Sequence, residues 1–535
     1  MSPGASGALG IPAGLYMTAY GCDSDGRLTI CILCIGCDYI AAREEMQGLE
    51  RRRISARIAQ IHPFHYNYWL MDRIRIPPVL RKMSGIFSSA GFSAYLVGGA
   101  VRDMLMGGAA HDYDIATDAT PRQVMGLFRS VIPTGIAHGT VTVHFMGHEI
   151  ECTTFRTESG YSDGRHPDSV AYASSIEQDL SRRDFTMNAI AADLSIGTLI
   201  DPFDGRGDIM RKLIRCVGAP CERFIEDGLR PVRALRFSAQ LGFRIDGATF
   251  DAITAGKVQE RIRAISMERF RDEFCRIMLT GKPSQGMLSM ERTGILAMFM
   301  PELAACRGVE QRDSRGYHIF DVFDHNVYAC DGAPEGKLLV RVAALLHDVG
   351  KPDVRTVTTM PDGSVKISFH GHEVPSARKA RAMLTRLRFS NADTDRVCHL
   401  IENHMFYYDS TWSDAAVRRF LAKVGADCIE DQIDLRLSDM YGKYNRPVRT
   451  HDNAADWNLA ELRERVLSEL RKHAAVSLRD LAVTGRDLME AGIPEGRMIG
   501  QILRELLQAV IDDPSQNTRE SLLLTARRLY ERATP

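Results

Sequence analysis

The sequence predicts an α+β head followed by a long all-helical body. Strand and helix signals alternate from about residue 94 to 205. Helical, arginine-rich spacing takes over from 206 to about 300. From 318 onward the pattern stays helical, holding seven of the 16 histidines up to about 445 and then leucine runs to Leu529. A period near 3.6 marks helices and a period of 2 marks half-buried strands, and strands gathered ahead of helices indicate α+β rather than a repeating βα layout.

The chain has 535 residues, enough for several domains. Its 45% hydrophobic and 25% charged content excludes a wholly disordered chain and a multi-pass membrane protein. With 67 basic against 68 acidic residues, any nucleic-acid surface must be a local patch. Twelve cysteines are few for this length and point to a reducing, cytoplasmic setting. Four of them, Cys22, Cys31, Cys34 and Cys37, fall in the first forty residues. Cys31-x2-Cys34-x2-Cys37 has part of the spacing of an iron–sulfur run but lacks its fourth ligand. The surrounding LTICILCIG is too short to span a bilayer, and no basic segment precedes it as in a signal peptide. Residues 1–72 carry no sustained period, so they are expected to be a poorly structured extension or to lie upstream of a true start near Met71.

The first clear helix opens at Pro77-Pro78, repeats apolar residues at Leu80, Met83, Ile86 and Phe87, and closes at Gly91. AYLVGG then reads as a buried strand, VRDML as a helix start, and YDIAT, GTVTVHF and EIECTTF as strands, the last two joined by a turn at Gly147-His148. The expected divisions are a head over 73–205, a helical neck over 206–310, a helical body over 311–455 and a helical tail over 456–535.

The densest chemistry is LVGGAVRDMLMGGAAHDYDIAT. Gly98 and Gly99 lie between a strand and a helix, where bare backbone and free N–H groups accept phosphate. Asp112 and Asp114 stand two apart at the head of a strand and share one face. Two carboxylates at ~4 Å repel by about 4 kcal/mol at an effective dielectric near 20, which a divalent cation relieves. Taken alone, Asp-x-Asp better suits a solvated turn with an N-cap aspartate. Glu149 and Glu151 share a strand face, so Glu151 is either a third site carboxylate or a solvated strand residue. In EDGLRPVRALRF, Asp227, Arg230 and Arg233 recur every three residues near one helical face. An Asp–Arg pair there can accept from an exocyclic amine and donate to a ring nitrogen, or form a plain surface ion pair. Pro231 disfavours helix at Arg230, so a helix is expected to begin or kink there.

Strand, Gly-Gly, helix, then Asp-x-Asp on the next strand resembles the polymerase-β-like nucleotidyltransferases. Within them, GGAVRDMLMG and DYDIAT are similar to the class II CCA-adding tRNA nucleotidyltransferases. PTGIAHGTVTV at 133–143, ECTTFRTESGYSDGRHPDSV at 151–170, QDLSRRDFTMNAIA at 178–191 and the segment 201–243 continue the resemblance in order. The resemblance implies a polymerase-β-like head, with neck, body and tail, that adds C, C and A to tRNA from CTP and ATP. It implies Mg²⁺ on Asp112 and Asp114, with Glu151 beside them. It places Gly99, Arg102 and Arg183 at the nucleotide, Asp227 and Arg230 at the base edge, and Arg233 and Arg236 near the triphosphate. The polar segment RTESGYSDGRHPDSV matches the family's mobile loop, which enzymes adding only CC usually lack. An A-adding or poly(A)-type polymerase shares this core and is the alternative enzyme.

VAALLHDVGKP places His347-Asp348 at the end of an apolar helix, with His325, His372, His404 and Asp439 on flanking segments. Such residues converge on a metal in helical bundles, and a His–Asp pair also serves as a capping pair. LLHDVGK with its ordered histidines resembles the HD phosphohydrolases. That implies ligands His325, His347, Asp348 and Asp439, with His372 and His404 for a second metal, Ni²⁺ or Mn²⁺; His370 competes with His372. An HD hydrolase with a silent, RNA-binding head is the reading from another class. The tail resembles longer family members, with helices at 499–511 and 519–532, and Lys472, Arg486 and Arg497 placed for the tRNA backbone. Neither a membrane nor an obligate protein partner is expected.

Overall fold

A computed structural model of the chain describes residues 15–22, 28–34, 72–110, 112–159, 169–311, 319–444, 454–472 and 475–534. The chain divides into two units, Met1–Asp72 and Arg73–Pro535.

In the first unit, β1 (Leu15–Cys22) pairs antiparallel with β2 (Leu28–Cys34), with Thr18 opposite Cys31. This hairpin corrects the expectation of a stretch without period, because the apolar, β-branched run LTICILC has strand propensity. Cys37 lies outside the described residues.

The second unit opens with α1 (Pro78–Ser89), which buries Leu80, Met83 and Phe87. Next come β3 (Ala94–Val97), α2 (Gly99–Leu105) and β4 (Tyr113–Thr117). Further strands are β5 (Val131–Gly135), β6 (Thr140–Phe145), β7 (His148–Thr154), the hairpin β8 (Arg156–Ser159) and β9 (Ser169–Tyr172), β10 (Ala191–Asp193) and β11 (Leu199–Ile200). Seven of them form one sheet in the order β11-β10-β3-β4-β7-β6-β5. Only β4 and β7 are parallel among its pairs, and their register sets Asp114 opposite Glu151. The turn between β6 and β7 falls at Met146-Gly147, one residue earlier than expected. Both residues have positive φ, 52° and 82°, as a two-residue hairpin of right-handed strands requires.

The neck contains α3 (Leu229–Leu241), α4 (Met267–Met278) and α5 (Pro283–Arg292). Pro231 sits in the first turn of α3, where its missing N–H costs no helical bond. The body follows with α6 (Val322–Gly332), α7 (Leu338–Leu346), α8 (Glu373–Arg386), α9 (Asn391–Glu402), α10 (Asp414–Val424) and α11 (Ile429–Tyr444). The tail adds α12 (Ala454–Arg471), α13 (Arg497–Asp512) and α14 (Arg519–Ala533). Leu506, Val510, Leu522 and Ala526 are buried in the tail's own core, so its leucine stripes are packing surfaces. Among the described residues, no helix is long and apolar enough to cross a membrane.

Candidate active site and metal centre

The head and neck enclose a cavity of about 690 Å³. Gly98, Gly99, Arg102, Asp112, Asp114 and Arg183 line it from the head, and Arg233, Arg236, Gln240 and Arg276 from the neck. Gly98 caps the N-terminus of α2 at φ 73°. A Cβ there would stand 3.0 Å from Arg183 Nη1 and 3.5 Å from Asp114 Oδ2, so a bare backbone lets these groups crowd the phosphate-facing turn. Burial raises the Asp114 carboxyl; Arg183 opposes this and Asp112 adds to it. Burial, Asp114 and Asp112 likewise raise Glu151. Asp114 and Glu151, whose charged forms are disfavoured, are oxygen donors of the kind a hard divalent cation would take. Glu151 stands beside Asp114 across the parallel register and outside the cavity lining.

The arginines are held by a network that includes residues the sequence reading did not single out. Arg102 Nη1 donates to Asn188 Oδ1 at 2.8 Å, and Asn188 Nδ2 donates to Asp184 Oδ1 at 3.2 Å. Arg233 Nε and Nη2 reach Asp184 Oδ2 at 2.8 and 2.7 Å. Burial pushes Asp184 upward, but Arg233, Asn188 and Arg230 together hold it down at about 2. Arg236 Nε donates to buried Glu273 Oε2 at 2.7 Å and Nη1 to Gln240 Oε1 at 2.7 Å. The guanidinium of Arg236 lies 3.6 Å from the centroid of the Phe237 ring. Asp184 had a signal, being the last residue of the Arg-Arg-Asp segment. Glu273 had none, since it meets Arg236 only through the fold.

The base-edge candidates lie outside the cavity lining, with protein partners of their own. Asp227 accepts two bonds from Arg269, at 3.1 and 2.8 Å, and one from the Leu229 N–H at 3.0 Å. Arg230 donates to Glu226 Oε2 at 2.5 Å, to the Arg223 carbonyl at 2.9 Å and to the Arg182 carbonyl at 3.1 Å. Residues 160–168 of the expected mobile loop lie outside the described residues; β8 and β9 pair its two ends.

All six metal candidates of the body converge. His325 Nε2 lies 3.1 Å from His347 Nε2 and 3.3 Å from both Asp348 Oδ2 and Asp439 Oδ1. His372 Nε2 lies 3.2 Å from His404 Nε2 and 2.9 Å from Asp348 Oδ1. His347, His372 and His404 face the carbonyls of Ala344, Phe369 and Ile401 through Nδ1 at 2.8, 2.8 and 2.7 Å. These carbonyls fix a proton on Nδ1 of each of the three rings and leave Nε2 facing the centre. Imidazole nitrogens gathered about the two oxygens of Asp348 are donors of the kind a transition metal would take. Lys351 Nζ also reaches Asp348 Oδ2, at 2.6 Å. Burial raises Asp348, but His347, Lys351 and His325 hold it well below the usual carboxylate range. His372 is buried and His370 exposed, so His372 is the converging residue. Gly350 is required beside this centre, because a Cβ would meet the Ser376 nitrogen at 2.4 Å.

The family model described as Poly A polymerase head domain matches residues 94–215, and the HD domain model matches 315–441. A model described as "Probable RNA and SrmB- binding site of polymerase A" matches 242–307. A CCA-adding enzyme of Levilactobacillus brevis is 32% identical over 450 residues, spanning 83% of this chain and 95% of that protein. This chain belongs to the class II CCA-adding enzymes. A second family member, from Enterococcus faecalis, is 32% identical across 84% of this chain and 95% of its own length. The crystal structure of the Bacillus stearothermophilus CCA-adding enzyme in complex with CTP superimposes with a TM-score of 0.64 at 28% identity, covering 86% of this chain and all of that one. The Thermotoga maritima CCA-adding enzyme complexed with tRNA_CCA shares the fold, with a TM-score of 0.51 at 17% identity over 85% of this chain.

Proposed function

We propose that this protein adds C, C and A in turn to the 3′ end of tRNA, using CTP and ATP. The observation that carries this reading is the arginine-lined cavity closing on Asp112 and Asp114 beside the Gly98-Gly99 helix N-terminus. The tRNA 3′-hydroxyl attacks the α-phosphorus; the new phosphodiester bond forms as the bond to pyrophosphate breaks, and pyrophosphate leaves. Mg²⁺ held by Asp112 and Asp114, with Glu151 adjacent, would activate the hydroxyl and offset charge on the leaving group. Arg102, Arg183, Arg233 and Arg236 bind the triphosphate, and the N-terminus of α2 adds N–H donors at Gly99. Asp227 and Arg230 read the base edge, Asp227 by the acceptor capacity left beside Arg269. Exposed Lys472, Arg486 and Arg497 contact the tRNA backbone. A tRNA substrate supports a cytoplasmic setting. The Asp112→Ala, Asp114→Ala double variant should abolish nucleotide addition while keeping the fold; retained addition would sink the assignment.

A second activity is supported by the histidine centre. His325, His347, Asp348 and Asp439, with His372 and His404, would hold Ni²⁺ or Mn²⁺ for phosphate-ester hydrolysis. Opening of 2′,3′-cyclic nucleotides to the 2′- or 3′-monophosphate, read with either ion added, tests this reading, and no opening with either ion would overturn it.

A further inference from the structure

The turn between α4 and α5 is shared by two regions. On one side it walls the nucleotide cavity: Arg276, Leu279 and Thr280 are lining residues. On the other side it is gripped by the body's first two helices. Arg341 of α7 is only 1% exposed. Its Nη1 donates to the Met278 carbonyl at 2.6 Å and to the Thr280 carbonyl at 2.5 Å. Its Nε and Nη2 donate to the Ala333 carbonyl at 3.3 Å. Asp331 of α6 accepts from the Ser284 N–H at 3.0 Å and from its hydroxyl at 2.7 Å, at the start of α5.

Burying a guanidinium is costly, and among the described residues no carboxylate is in contact with it to repay that cost. What the guanidinium adds is direction. The carbonyls at the end of α4 have no intrahelical donor, and a cation there also suits the helix dipole. Arg341 therefore fixes how α4 ends, at carbonyls two and four residues beyond Arg276, on the helix whose Glu273 binds Arg233, Arg236 and Arg276.

We propose that Arg341, assisted by Asp331, is a positioning residue for nucleotidyl transfer: the HD region sets the neck-side wall of the nucleotide cavity. This rests on reading that cavity as the CTP and ATP site. The HD region then serves the transferase mechanically, whatever chemistry its own metal centre performs.

The test uses the full chain with Arg341→Met, Arg341→Lys and Asp331→Asn. KM and kcat are measured for CTP on tRNA lacking CCA, with CTP affinity by calorimetry and a melting curve on the same samples. Misplacing the wall should raise KM and Kd for CTP about tenfold in Arg341→Met with a smaller fall in kcat. Arg341→Lys should recover part of the loss, and Asp331→Asn should shift KM in the same direction by less. Should Arg341→Met fail to fold, the other two variants decide. A lowered melting temperature with wild-type KM and Kd would assign these residues to stability alone and overturn the proposal. A wild-type chain that binds no CTP overturns the functional reading and this inference together. A wild-type chain that binds and transfers, beside variants that match it, overturns the positioning role only.

Discussion

Single residues in the cavity are tuned by their neighbours, and Asp184 shows this most clearly. Its folded value near 2 lies below the ordinary 3.8. The Asp184–Arg233 bond therefore stabilises the fold fully above about pH 4, and that contribution is lost as pH falls toward about 2. The shift corresponds to about 2 kcal/mol. Melting curves of wild type and Asp184→Asn should differ by this order at pH 6 and converge as pH falls below about 4; a gap independent of pH would contradict it. At the other centre, Asp348→Asn should lower the bound transition metal measured by elemental analysis and leave CCA addition in place. The grouping of Asp112, Asp114, Arg102 and Arg183 about one cavity was legible in the sequence because their neighbours along the chain carry the pattern. Glu273 and Arg269 were not, because each acts on a residue on another helix, and spacing alone encodes no such contact.

At the level of elements, the strands β3, β4, β6 and β7 were readable from alternation, and α3 from its apolar period. The turn between β6 and β7 was misplaced by one residue because Gly147 marks only one of the two positive-φ positions, and Met146 fills the other without a compositional signal. Parallel pairing of β4 with β7, which brings Glu151 to Asp114, was also invisible, since strand order is a tertiary choice. Gly98 tests the strand-to-helix corner. Gly98→Ala places a Cβ 3.0 Å from Arg183 Nη1 at a φ of 73°. Its kcat/KM for CTP should fall at least about tenfold, through displacement of Arg183 as well as strain. An unchanged value would remove Arg183 from the site.

For the whole molecule, near-zero net charge concealed a local concentration of arginines. Arg183, Arg233, Arg236 and Arg276 reach one cavity from the head and two neck helices. The hairpin-bearing first unit and the enzyme body are separate units, and the matches to family models begin at residue 94. A chain starting at Met71 should therefore retain CCA addition, read as turnover on tRNA lacking CCA. The HD region, by contrast, is integral: through Arg341 and Asp331 it is bonded to the neck. The central claim is that one cavity adds three nucleotides in order. It is tested most directly by giving the full chain tRNA that ends before CCA, with CTP alone, ATP alone or both, and reading product length at single-nucleotide resolution. The account predicts two added residues with CTP and three with both, stopping there. No added C on tRNA that ends before CCA, or an A tail of open length, would contradict it.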